Sequence, residues 1–399
     1  MDALDEISEP ESSSEGSISL MDDTYYVADI AGILILCEEN ENLEYQENIQ
    51  MLKGDKWSVE EAVKRLQGME QTAAVKNAIG IGYIRLAQFE EAKKVLNQAL
   101  LISEKDSDQA CILNNLGNMR LISKEDFIQN CIGKRFAQAL EKEMNPQNRL
   151  IIQMNQVCYS FFPYLDKKDP TGYAISEFER LLEEEKKLFG SNQIVGVYGY
   201  SMLSVFLASE ESQDEDEVRC FNKALEINQK NHRYKAADIN IYSGLARGYY
   251  CLMEYEKALE CANKWIDLVE GFLSEEDDLM FVTGYYDKAS ILIKEKQYEE
   301  AIKCINALLD KEGIHIEKRA IAWFKLGEIY YEKGEQIKAK EAALKGYDIF
   351  KQYKNKNGYG EEEWKIEEIA EMYRHDNLDE GDPEYLLWLQ EQLEKQAQK

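Results

Sequence analysis

Three asparagines stand close together in the segment ILNNLGN: Asn114, Asn115 and Asn118. A carboxamide offers N–H donors and a carbonyl acceptor, so it can pair with a peptide main chain whatever side chains that chain bears. Asparagine is also a mediocre helix former, and nothing in local propensity forces its repetition inside a helical stretch. Recognition is therefore the chemistry these residues suggest. Bond-breaking chemistry finds less support, since the sequence has no GxSxG, no P-loop, no HExxH and no EF-hand loop. His232, His315 and His375 are far apart, and none has a neighbour at metal-ligand spacing. The eight cysteines form no CxxC pair, and most fall in apolar helical stretches, as free buried thiols of a reducing compartment do. Gly80 and Gly82 in GIGYIRLAQ lie within a helical pattern, where close packing accounts for them better than phosphate binding does. No enzyme, cofactor or metal is expected.

The elements that must position such residues are helices. Only 5 of 399 residues are proline, and Leu, Ala, Glu and Lys are common, which suits long helices joined by short turns. The balance of 47 basic against 76 acidic residues gives a net charge of −29, a field that repels phosphate backbones and anionic lipids. Direct binding of nucleic acid or membrane is thus disfavoured, while a basic partner is compatible. No secretory signal is visible, and the apolar run from Val27 to Cys37 is far shorter than the ~20 residues that span a bilayer. A cytoplasmic protein is expected.

Residues 1–20 are Ser- and Glu-rich and read as a disordered acidic tail. Residues 21–70 read as an N-terminal extension packed on the first of a series of helix pairs. Within it the run at 27–37 is either a strand or a buried helix, which periodicity cannot separate. Ser58 followed by Glu61 predicts a capping box for a helix over 58–69. From residue 71 the helix pairs recur. In residues 320–350, Trp323, Leu326, Gly327 and Tyr330 share one helical face, Gly334 sits at the turn, and Ala339 and Ala343 form a small-residue stripe on the second helix. The template recurs at 73–105, 239–268 and 282–309, with the turns QFEEA, EYEKA and QYEEA. Weaker units occupy 110–143, 148–189 and 192–230, and two amphipathic segments near 360–375 and 383–397 suit a terminal cap.

This alternation of large residues with Gly and Ala resembles the tetratricopeptide repeat family. The resemblance implies an all-α, right-handed superhelical solenoid of antiparallel helix pairs, with about seven repeats. Its expected span is 71–352, with capping helices over 353–399. It also implies that the first helix of each pair lines a concave groove that holds extended peptides or partner helices. On that basis Asn114, Asn115 and Asn118 face the groove. The equivalent positions elsewhere offer Asn77, Asn155, Asn240, Arg247, Tyr286, Asp287 and Lys325.

Two functions are compatible with this pattern. One is an interaction scaffold that binds a peptide or protein partner in the groove. The other is a peptide-responsive regulator of a partner protein or enzyme, akin to bacterial cytoplasmic peptide receptors built on such repeats. The acidic first 70 residues show no helix-turn-helix, so the second reading comes without a DNA-binding domain of its own.

Overall fold

The computed structural model of the chain describes residues 26–29, 32–38, 42–119, 131–159, 170–190, 194–208, 214–230, 235–272, 278–311, 314–356 and 383–397. The expectations for residues 1–20 and for a helix near 360–375 fall outside them. The first elements are two short strands, β1 (Tyr26–Asp29) and β2 (Gly32–Ile35). They pair antiparallel, with Tyr26 opposite Ile35 and Asp29 opposite Gly32. Where it is described, the ambiguous apolar run is thus a pair of strands and not a helix, and its β-branched Val27, Ile33 and Ile35 suit the extended form.

Two helices come next, α1 (Leu43–Met51) and α2 (Lys56–Gly68), and α2 lies against the helix after it. The cap of α2 differs from the expected one. Asp55, and not Ser58, is the N-cap: its carboxylate accepts from the Ser58 N–H at 2.9 Å and from the Ser58 hydroxyl at 2.7 Å. A carboxylate at this position satisfies two donors and complements the positive end of the helix, so the cap lies three residues earlier than expected. Glu61 pairs instead with Arg65, one turn on.

Seven helix pairs make the body of the described residues. They are α3 (Ala73–Arg85) with α4 (Phe89–Ile102), α5 (Asp106–Gly117) with α6 (Cys131–Lys142), and α7 (Pro146–Tyr159) with α8 (Pro170–Phe189). Then come α9 (Ile194–Leu207) with α10 (Asp214–Lys230), and α11 (Lys235–Cys251) with α12 (Tyr255–Phe272). The last are α13 (Asp278–Lys294) with α14 (Tyr298–Leu309), and α15 (Ile316–Glu332) with α16 (Gln336–Lys356). Each first helix touches the first helix of the next pair, from α3 through to α15, so these form one continuous layer. Their burial agrees: α3 and α9 are buried nearly all round, whereas α4 buries only the stripe Ala92, Leu96 and Ala99. The stretch from 124 to 230, irregular in sequence, continues this pairing wherever it is described. Size complementarity holds each pair together. A Cβ on Gly117 would sit 2.7 Å from the Phe136 ring of the facing helix. The final described helix, α17 (Pro383–Ala397), drops Tyr385 beside Gly327, where its hydroxyl donates to the Phe324 carbonyl at 2.7 Å.

One turn design recurs four times among the described residues. Ala87, Met253, Lys296 and Gly334 each have φ between 57° and 84°, just after the first helix of a pair. The next residue's N–H reaches back five positions: Gln88 to Tyr83, Glu254 to Tyr249, Gln297 to Leu292 and Glu335 to Tyr330. This is the Schellman arrangement, which favours glycine because a Cβ crowds the left-handed conformation. Only Gly334 obeys that preference. Replacing Lys296 with glycine should therefore stabilise the chain by about 0.5–1 kcal/mol, less than the full steric relief because glycine gains freedom in the unfolded chain. Thermal unfolding of Lys296→Gly checks this; a lower melting temperature would contradict the assignment of strain.

Candidate functional site

The asparagines of the sequence analysis converge, and what they converge on is the chain's own β2. Asn77 comes from α3, Asn114 and Asn115 from α5, Asn118 from the residue closing α5, and Asn155 from α7. All five are buried. In an antiparallel pair alternate residues aim their N–H and C=O groups away from the partner strand. Ile33 and Ile35 do so here, and no third strand receives them among the described residues. Carboxamides take its place. Asn115 accepts from the Ile35 N–H at 2.8 Å and donates to the Ile35 carbonyl at 2.8 Å, while Asn77 donates to the same carbonyl at 2.9 Å. Asn155 treats Ile33 the same way, accepting at 3.2 Å and donating at 2.9 Å. Asn114 and Asn118 donate to the Ile33 carbonyl at 3.1 and 3.3 Å.

The amides also join one another. Asn115 donates to Asn77 at 2.8 Å, Asn114 to Asn115 at 3.2 Å and Asn155 to Asn114 at 2.9 Å, so a continuous ladder crosses three successive helix pairs. Such a network is stable only when every member is satisfied, because a buried amide without partners forfeits its hydration. Gly32 is required beside it, since a Cβ there would lie 2.6 Å from Asn155 Oδ1. The hairpin is pinned at its ends too. The Tyr26 hydroxyl donates to Asn148 at 2.8 Å, and Tyr45 on α1 donates to the Cys37 carbonyl at 2.9 Å. Hydrogen bonding with Cys111 of α5, together with burial, pushes the Cys37 thiol well above its usual range.

The remaining sequence candidates lie on α11, α13 and α15 and are not part of the ladder. Asn240 is half-buried on α11. Arg247 donates its Nε to the buried Asp287 carboxylate at 3.0 Å, a contact between neighbouring first helices. The buried Tyr286 donates its hydroxyl to the Lys318 carbonyl at 2.6 Å. Lys325 is wholly buried and pairs with Glu328 at 2.8 Å. These groups hold first helices to one another or to their own turns.

Nothing in the residue pattern marks the buried acid Glu217 on α10. Burial, with Asp214 adding to it and Arg247 opposing, raises its pKa to about 7. Between its usual 4.5 and about 7 the folded chain keeps a proton that the unfolded chain has released. Stability therefore falls as pH rises through that window and stays lower above it. Glu217→Gln should raise the melting temperature at pH 8 and leave it nearly unchanged at pH 4. An equal shift at both pH values would contradict the assignment.

The tetratricopeptide repeat model matches residues 73–106 and 282–310. The chain carries tetratricopeptide repeats. These matched stretches hold α3–α4 and α13–α14, and the other five pairs continue the same layered stacking of helix pairs among the described residues. Among solved structures, a Rap protein in complex with Competence and Sporulation Factor is 15% identical with a TM-score of 0.50, over 79% of this chain and 89% of that one. A putative kinesin light chain from Podosopora anserina is 16% identical with a TM-score of 0.46, over 53% of this chain and 100% of that one. Aspartyl phosphate phosphatase F from Bacillus subtilis is 15% identical with a TM-score of 0.41, over 78% and 85%. No curated protein matches the sequence. No described helix is long and apolar enough to cross a membrane, and the described residues hold no cluster of three metal-binding side chains.

The ladder carries a stability prediction of its own. Asn155→Ala strands the Ile33 N–H and removes a donor from Asn114, so it should cost about 2–3 kcal/mol. Asn97→Ala, on an exposed position of α4, should stay within about 0.5 kcal/mol of wild type. Urea unfolding of the two variants distinguishes these outcomes.

Proposed function

We propose that this chain is an interaction protein whose groove, lined by the first helices of its repeats, holds an extended peptide or protein segment. The observation that carries this is the asparagine ladder's grip on the main chain of Ile33 and Ile35. Carboxamides that meet both the N–H and the C=O of one residue recognise the extended backbone itself, as a neighbouring strand would. Asn77, Asn114, Asn115, Asn118 and Asn155 form the binding track in this reading. Asn240, Arg247, Tyr286, Asp287 and Lys325 continue the same layer of helices toward the C-terminal end. The net charge of −29 favours a partner with basic character outside the gripped segment. The free thiols among the described cysteines favour a cytoplasmic setting.

The peptide-responsive regulator is the second reading, and a specific observation favours it: the track already holds a segment of this chain. A scaffold needs an accessible groove, whereas a regulator needs one whose occupancy can change.

A random decapeptide display library selected on the immobilised full chain tests the reading. Selected peptides carrying a benzophenone should cross-link to α3, α5, α7, α9 and α11. Cross-links confined to the second helices would refute the groove assignment.

A further inference from the structure

We propose that the β1–β2 pair, with Leu36 and Cys37 after it, is a resident ligand of the groove, and that an external extended peptide with aliphatic side chains at alternate positions binds the same track by displacing it. This rests on the groove reading above and adds the chemistry of the ligand and the control of its access.

The contacts define that ligand. Ile33, Leu34, Ile35, Leu36 and Cys37 are each at most 1% exposed, and none carries a charge. Specificity at these positions is steric and apolar, while the main chain is read by the ladder. The position of Gly32 admits no Cβ, because Asn155 Oδ1 would lie 2.6 Å and Asn118 Oδ1 3.1 Å from it. A matching peptide therefore has the form glycine, β-branched, aliphatic, β-branched, aliphatic. A small cleft of about 170 Å³ lies beside Leu36 and Glu38, bounded by Lys105, Asp108, Glu143 and Asn148.

The lining argues for exchange over a permanent filling. Outside the ladder, polar anchoring of the hairpin comes from contacts such as Tyr26 with Asn148 and the Cys37 carbonyl with Tyr45. A groove walled only by apolar side chains would collapse or aggregate once emptied. One walled by five carboxamides can be hydrated, since water replaces each hydrogen bond the strand relinquishes. An incoming peptide then re-forms the same bonds and buries the same kind of surface, so exchange is nearly balanced in free energy. The resident hairpin retains the advantage of tethering, equivalent to an effective concentration in the millimolar range. Its removal should expose the full affinity of the track.

The test uses the full chain. The probe is a fluorescein-labelled peptide of sequence Gly-Ile-Leu-Ile-Leu-Ser-Glu with a short polyethylene glycol tail. Its control has proline in place of the second isoleucine, which deletes the N–H that Asn115 accepts. Leu34→Asp places a charge in the apolar part of the groove and evicts the hairpin while leaving the ladder intact. Fluorescence anisotropy should show the probe binding this variant at least about tenfold more tightly than wild type, and the proline control binding about tenfold more weakly than the probe. Equal affinity for wild type and variant would overturn displacement while sparing the groove reading. Binding to neither, with the variant's helical circular dichroism intact, would overturn both. Native-state hydrogen exchange on the wild-type chain decides the matter even if Leu34→Asp does not fold. The Ile33 and Ile35 amides should exchange at least about tenfold faster than the slowest α9 amides, through an opening that leaves the helices closed. Exchange of all these amides at one common rate would mean that the hairpin leaves only on global unfolding, which overturns the proposal.

Discussion

A strand inside a helical solenoid has no neighbouring strand to receive its outward-facing N–H and C=O groups, and the rest of this structure is arranged around meeting that demand. Every backbone polar group taken from water must find a partner. Helices satisfy their own, but β2 has one edge on β1 and the other against helices, which have no backbone donors to spare along their length. Carboxamide side chains are the substitute with the right geometry, because an amide is a peptide group without the chain. Asn115 and Asn155 each reproduce the two-bond exchange of a strand pair. Their spacing follows from the repeat, with asparagine turned inward from each of three successive first helices.

Hydrogen bonds of this kind contribute modestly to net stability, at about 0.5–1.5 kcal/mol each. The larger favourable contribution comes from the apolar side chains of the hairpin, at about 1.5–3 kcal/mol for each fully buried residue. The two effects divide the work. Burial of Val27, Ile33, Leu34 and Leu36 holds the hairpin in place, and the ladder fixes its register. A slip by one residue would turn Leu34 toward the amides, swap the faces of every side chain, and bring a Cβ into the space that only Gly32 leaves open. Specific placement and strength of attachment thus come from different atoms of the same segment.

Residue type made the ladder legible; its occupant was not. Asn114, Asn115 and Asn118 stood out because asparagine gains nothing from a helix interior, and the repeat template aligned Asn77 and Asn155 with them. The template says which helix face a residue occupies and nothing about what is opposite. The run from Val27 to Cys37 held the missing information in its alternate β-branched residues, yet a short apolar run suits a buried helix equally until its neighbours are known. The same limit explains Tyr286, Asp287 and Lys325. Polar residues on a helix are ordinarily expected at the surface, but first helices of a solenoid are enclosed on several sides, so these side chains are buried in local pairs. Turn strain was likewise hidden, because Ala87, Met253 and Lys296 adopt a conformation that their types do not advertise.

The choice of carboxamides bears on what the groove is for. A hairpin that served only to fill space could rest on leucine and valine, with its free edge turned to solvent, and five buried amides would be an unneeded desolvation cost. Here the edge faces inward and the amides face it, which makes the wall of the groove complementary to any extended backbone and not only to this one. In the proposed exchange, complementarity to a class of chains, combined with a covalently tethered member of that class, makes the outcome of the competition depend on concentration. The apolar pockets around Ile33 and Ile35 then narrow the class to chains with side chains of similar shape. On that proposal backbone recognition supplies the generality and the pockets supply the choice, and control of the groove reduces to which chain the ladder holds.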